Sequence, residues 1–240
     1  MNVLLKYSLS LIIILLGVLM DIGKAPDKNQ TIPAPYQKPA IAKEIMMDVP
    51  LINQMDAPRL YNGCEVTSLA MLLQFWGVQV SKNELAEQIP RVPLRYSDGK
   101  YGNPNNGFVG NMENGPGLGV YHGPVFNLAQ SHLPANLKVI DLTNHPFDTI
   151  IEKLNEGLPV WVITTSNFSP VSTIQSWTTP QGTLEITYNM HSAVITGYDH
   201  ENIYLNNPYG IKNQQVNKAD FLKSWRQMGS QAIVVEPVKK

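Results

Sequence analysis

One cysteine, Cys64, and five histidines, His122, His132, His145, His191 and His200, are the residues of this 240-residue chain best suited to nucleophilic chemistry. A thiol attacks as its thiolate, so its surroundings decide whether it reacts. Cys64 follows Asn62-Gly63. After it Val66, Leu69, Ala70, Leu72, Leu73 and Trp76 recur at helical spacing until Gly77. That pattern places the thiol in the opening turn of a helix, where unpaired N–H groups and the dipole favour a negative sulfur. Asn62 and Glu65 have the separation of a capping box, with Asn in place of Ser or Thr. Gly63 would let a substrate backbone approach the sulfur. An unperturbed thiol titrates near 8.5 and is only about 0.3% thiolate at pH 6. At a helix start beside an imidazolium it is expected between roughly 3.5 and 7.5. The competing reading is a small buried hydrophobe, because free Cys is among the most buried residue types.

A thiol nucleophile needs a base, and the base needs a group to orient it. His200 lies in a turn between Asp199 and Glu201. His132 precedes Leu133-Pro134 and suits a helix end, and His145 precedes Pro146 in a loop. His122 lies between the glycine-rich segment and a helix and reads as a loop residue, with a groove residue as the alternative. His191 opens the apolar run Ser192-Ala193-Val194-Ile195, so a strand would hold it rigidly. Sixteen residues on, Leu205-Asn206-Asn207-Pro208 ends the next run. Adjacent antiparallel strands would bring Asn207 beside His191, and Pro208 keeps Asn207 extended. Asn206 is the alternative if the register differs by one.

The elements that must position these groups read as α+β, with N-terminal helices packed on a C-terminal antiparallel sheet. Ser81 and Glu84 form a capping box opening a short helix that ends before Pro90. Residues 91–123 hold eight of the seventeen glycines, as expected of a long functional or disordered loop. Pro124 marks a helix start. A strand is predicted over Leu137–Leu142, a helix over Phe147–Asn155 stopped by Gly157, and a buried strand over Leu158–Thr165. Strands over Leu184–Tyr188, Met190–Tyr198 and Ile203–Asn206 form one antiparallel set. A helix over Asp220–Gln227 and a strand over Ala232–Val235 complete the domain. Trp161, Trp177 and Trp225 read as core; Trp177, in a loop of its own, is also a candidate for a substrate groove.

Composition narrows the classes. Eighteen Lys+Arg against nineteen Asp+Glu give a net charge of −1, without the basic footprint of a nucleic-acid binder. Hydrophobic residues at 43% suffice for a core. One thiol makes no intramolecular disulfide and no Cys-rich zinc site. There is no HExxH, Walker loop or GxSxG, so neither a metal nor a cofactor is expected. Lys6 and the apolar stretch from Tyr7 to Met20 are too short to span a bilayer easily, so residues 1–25 read as a signal peptide or N-terminal anchor. Residues 26–45, with four prolines between Pro26 and Pro39, read as a linker, and residues 46–240 as the folded domain.

Gln54, NGCEVTSLAMLLQFWG, HSAVITGYD and YLNNPYG together resemble the papain-like cysteine peptidases. More narrowly they resemble family thirty-nine, the bacteriocin-leader peptidases, and its exported bacterial relatives. GFVGNMENGPGLGVYHGPV is similar to their glycine-rich segment. The resemblance covers residues 46–237, and the Cys64-to-His191 separation of 127 residues fits papain-like layouts. It implies Cys64 as nucleophile, His191 as base and then acid, Asn207 as orienter, and Gln54 with the Cys64 N–H as oxyanion donors. Relatives often carry Asp at the position of Asn207. Leader peptidases of this family are typically fused to a transporter, so double-glycine leader cleavage is not carried over. The implied protein is an exported hydrolase of peptide or amide bonds, secreted or on the extracellular face of the membrane. It would act on a peptide or protein, with membrane attachment only through the N-terminal segment. The alternatives are a cell-wall amidase or acyltransferase using the same dyad, although a DCSG-like motif is absent, and a surface binding module in which Cys64 is structural.

Overall fold

A computed structural model describes residues 44–239; the signal peptide or anchor expected over residues 1–25 and most of the 26–45 linker lie outside them. The chain enters through β1 (Ile45–Met46), two residues long. Next come α1 (Cys64–Phe75), α2 (Lys82–Gln88), β2 (Arg91–Val92), β3 (Phe108–Gly110), β4 (Gly117–Gly119) and α3 (His122–His132). The second half runs β5 (Leu137–Asp141), α4 (Phe147–Asn155), β6 (Val160–Thr165), β7 (Gln175–Thr179), β8 (Gly182–Ile186), β9 (Met190–Tyr198), β10 (Asn202–Asn207), β11 (Ile211–Asn217), α5 (Lys218–Gln227) and β12 (Ala232–Pro237).

The main sheet has the order β11-β10-β9-β6-β12-β5, with β1 on the C-terminal end of β9, and all its pairings are antiparallel. Strand β9 is buried along its whole length, so both faces of the sheet must be covered. Alternation sorts its residues. Trp161, Ile163, Val194 and Ile233 join one core with α1, α2, α3 and the glycine-rich segment. Val160, Val162, Ala193, Ile195 and Val234 join a second core with α4 and α5, through Phe147, Ile150, Phe221 and Trp225. The fold is α+β, as expected, with helices on both faces of the sheet.

Several expectations are revised. The long glycine-rich segment is ordered, because β2, β3 and β4 form a small sheet of their own. Gly110 and Gly119 there have φ of +89° and +133°, which side chains resist. Helix α3 begins at His122, two residues before Pro124. β8 pairs with β7 in a separate hairpin rather than with β9. Trp177 stands on β7, buried and stacked on Tyr101 at 4.2 Å, so it is core and not groove. Strand β11 was hidden by its polar sequence, Ile-Lys-Asn-Gln-Gln-Val-Asn. The Ser81–Glu84 capping box is present in both directions.

Candidate active site

Cys64 is the first residue of α1, and its cap residue Gly63 supplies no side-chain hydrogen bond. The predicted Asn62–Glu65 capping box is absent because both partners are engaged elsewhere. Asn62 donates through Nδ2 to Asn111 O at 3.0 Å, and Glu65 Oε1 accepts from Val120 N–H at 3.1 Å. Both bonds tie the start of α1 to the glycine-rich segment. They leave the first-turn amides of the helix without a side-chain acceptor. Gly63 is required for a reason other than substrate access: a Cβ there would lie 2.4 Å from Leu60 Cβ.

The β9–β10 ladder ends at Val194–Asn206. Residues 190–193 therefore have no β10 partner, and α1 packs against β9. There the Ser192 backbone N–H reaches the Cys64 sulfur. His191, the preceding residue, is 1% exposed. Its Nε2 lies 3.0 Å from Asn207 Oδ1. The same Oδ1 accepts the Tyr209 N–H at 3.1 Å, and Asn207 Nδ2 donates to Gln214 Oε1 at 2.8 Å. A backbone N–H can only donate, so it fixes which end of the Asn207 amide is oxygen. His191 Nε2 must then carry the proton, which leaves Nδ1 as the free base. Asn206 turns away: its Nδ2 donates to Val49 O and Pro50 O, and its Oδ1 accepts from Asn213 N–H. The expected register places Asn207, not Asn206, on the imidazole.

Two rings hold the imidazole. Tyr209 stacks on it at 5.0 Å with planes 9° apart, and Phe168 meets it edge-on at 5.9 Å. Phe168 has φ +56°, a conformation costly for a bulky residue and characteristic of functional sites. The Thr165 hydroxyl and the Phe168 N–H close this turn onto Ser169 O and Thr165 O. Neither aromatic was legible as a site residue, since each contacts His191 only through the fold.

Gln54 is buried, but not as a free donor. Its Nε2 donates to Leu60 O at 3.1 Å and Tyr61 O at 3.0 Å, while Oε1 has no partner. The amide braces the loop that delivers Cys64. Lys82 braces the same loop from α2, donating to Asp56 O and Pro58 O.

Burial dominates the electrostatics. It pushes the Cys64 thiol well above its ordinary value, with the Glu65 charge adding to the rise and the Ser192 N–H opposing it. Burial also pushes His191 down to about 4, against the Asn207 hydrogen bond. A dry site disfavours two charges. Burial thus favours the thiol and the neutral imidazole, against the thiolate–imidazolium pair that the helix start suggested. Among the described residues no group of three or more His, Cys, Asp or Glu could hold a metal.

The model of the Peptidase_C39 like family matches residues 46–233. The chain belongs to that family. It is 57% identical over 190 residues to the uncharacterized protein YvpB of Bacillus subtilis (strain 168), covering 79% of this chain and 75% of that one. It is also similar to a crystal structure of a candidate C39-like peptidase from Bacillus anthracis. That likeness has a TM-score of 0.77 and 41% identity, and covers 83% of this chain and 99% of the other. The family suggests a cysteine peptidase, and the buried Cys64, His191 and Asn207 are the residues through which this chain would act as one.

Proposed function

We propose that the protein is an exported cysteine peptidase that hydrolyses peptide or amide bonds through Cys64, His191 and Asn207. The observation that carries the reading is the oriented imidazole: the Tyr209 N–H fixes Asn207 Oδ1, Oδ1 fixes the Nε2 proton, and Nδ1 is left as base. Because both groups rest neutral, attack and proton transfer go together. His191 Nδ1 takes the thiol proton as the sulfur bonds to the substrate carbonyl carbon. The oxyanion is stabilised by the uncapped N–H of Cys64, with Gln54 Nε2 contributing if it exchanges a loop carbonyl for the oxyanion. His191 then gives the proton to the leaving amine. Water attacks the acyl-enzyme, loses a proton to His191, and that proton returns to the sulfur as the carboxylic acid leaves.

A thiol-directed covalent probe on the folded chain, followed by a peptide-library digest, tests this. Labelling of native Cys64 and cleavage lost in Cys64→Ala are expected. If Cys64 is modified only after denaturant is added, the binding-module reading replaces this one. Digestion of peptidoglycan, and not of peptides, would instead favour the amidase alternative. Export rests on the Lys6–Met20 pattern. An N-terminus at Pro26 in the extracellular protein, or an intact N-terminus in the membrane, would support it; an intact cytoplasmic chain would refute it.

A further inference from the structure

A cavity of about 180 Å³ lies on the α1 side of the main sheet, between the β7–β8 hairpin, the end of α5 and the glycine-rich segment. Its walls run into the residues that flank the candidate dyad. Tyr121, on one wall, is two residues beyond Gly119. A Cβ on Gly119 would meet both Glu65, which follows Cys64, and Met190, which precedes His191. Thr187, on another wall, accepts the Met190 N–H at 3.1 Å. At about 3.3 Å per residue, an extended chain held at Cys64 reaches these walls within four residues. The volume is below the roughly 300 Å³ at which pockets for whole drug-sized ligands begin, so the cavity suits a single side chain.

The lining decides which side chain. Tyr121, Ile174, Ile186 and Met228 make it largely apolar. Ile186 and Met228 are buried, whereas Ile174 is left 40% exposed, a surface that a long aliphatic stem would cover. The neutral polar groups are already engaged. Gln227 holds both the N–H and the C=O of Val171. Gln231 accepts the His122 N–H and donates to Met228 O, and Thr187 Oγ1 accepts the Asn189 N–H. Glu185, at the exposed rim, differs. Among the described residues no Lys, Arg or His pairs with it, and none lines the cavity. An apolar sleeve ending in a lone carboxylate matches an aliphatic stem with a cationic head. It rejects Glu or Asp by like charge, and an uncharged chain of the same length forgoes the contact with Glu185. We infer that this cavity is a specificity subsite that receives a lysine or arginine side chain of the substrate, within four residues of the scissile bond. Tyr121, Ile174 and Met228 hold the stem and Glu185 holds the head.

The inference rests on the peptidase reading above, and one set of peptides separates the two claims. A peptide cleaved in the library digest is remade with Lys, norleucine, Ala or Glu at each of the four positions on either side of the cleaved bond, and kcat/KM is compared. At one position Lys should exceed norleucine about fivefold, the upper range for an exposed ion pair, and Glu should fall below Ala. Added salt should shrink the preference for Lys. Glu185→Gln should bring the Lys-to-norleucine ratio close to one, and Glu185→Lys should invert the preference in favour of Glu. Ile174→Trp, at an exposed position, narrows the cavity and should lower both Lys and norleucine relative to Ala. Cleavage without a basic preference at any position, or with one that Glu185→Gln leaves unchanged, overturns the subsite and leaves the peptidase standing. No cleavage of any peptide by the wild type, with native Cys64 unreactive, overturns the peptidase reading and the subsite with it.

Discussion

His191 and Glu65 make opposite contributions to the pH dependence of stability, and the pair can be uncovered by removing one at a time. His191 titrates at 6.5 when unfolded and about 4 when folded. Between those values the unfolded chain holds one more proton, so acidification destabilises the fold. Glu65 titrates at 4.5 unfolded and about 7 folded. Between those values the folded chain holds the extra proton, so acidification stabilises it. From pH 7 to pH 5 each effect integrates to about 2 kcal/mol, at about 1.4 kcal/mol per unit per proton. The signs cancel, and the wild type should show almost no net contribution from the two. Glu65→Gln leaves only the histidine effect and should lose about 2 kcal/mol at pH 5 relative to pH 7. His191→Phe keeps a ring between Tyr209 and Phe168 and should gain about the same. The double variant should return to the wild-type slope. Urea unfolding at the two pH values, compared as differences from wild type, reads all four. Parallel pH dependence across the four proteins would mean that neither group is shifted as its burial demands.

Asn207→Ala should lower kcat at least about tenfold while Cys64 stays alkylatable, and Asn207→Asp should retain activity, since a carboxylate accepts the same Nε2–H; equal kcat in wild type and Asn207→Ala would remove it from the site. Gln214→Ala, which frees Asn207 Nδ2, should give a smaller loss in kcat with unchanged KM. Gln54→Ala should both destabilise the fold by about 1–3 kcal/mol, because two loop carbonyls lose their donor, and lower kcat; a full-length kinetic loss of 10²–10³ with unaltered unfolding would restore the pure oxyanion role. Lys82→Met should destabilise the Asp56–Pro58 loop and slow Cys64 alkylation, measured on protein shown to be folded by circular dichroism.

The layout of the candidate site was legible because it depends on features that sequence carries directly. Helical spacing behind Cys64 sets α1, the apolar run behind His191 sets β9, and the sixteen-residue step to Asn207 matches a hairpin. The register came out at Asn207 because the bulge between Tyr204 and Leu205 shifts the pairing, and Asn206 is drawn off by Val49 and Pro50. What was not legible depends on contacts between distant segments. The Asn62–Glu65 capping box had the right spacing, but each side chain found a partner about fifty residues away in the glycine-rich segment. β11 lacks an apolar alternation because its faces are largely solvated, and so Gln214, which sits on it, went unseen. The thiol was misjudged for a related reason. A helix start and a nearby histidine argue for a thiolate only where water or charge compensates the ions, and the depth of the site follows from Tyr209, Phe168 and the glycine-rich segment together.

The placement of the site at the end of one ladder explains how two separate cores produce one geometry. Cys64 is buried at the start of α1, the helix whose Val66, Leu69 and Leu72 join the core formed with α2, α3 and the glycine-rich segment. The ring of His191 meets Phe168, which belongs to the core formed with α4 and α5. Successive residues of a strand point to opposite faces, so an ordinary sheet would keep a nucleophile on one face from a base on the other. Here β10 stops pairing at Asn206, and the bare edge of β9 admits the start of α1 between the layers. The Ser192 N–H that would otherwise serve a neighbouring strand holds the sulfur instead, while β10 itself carries Asn207 to the imidazole. His191 lies three residues before that ladder end, Asn207 one residue after it, and Cys64 is held there by the Ser192 N–H. A misplacement of about 1 Å in such a constellation costs on the order of a hundredfold in rate, and β9, buried throughout and paired on both edges above the site, is the element rigid enough to prevent it.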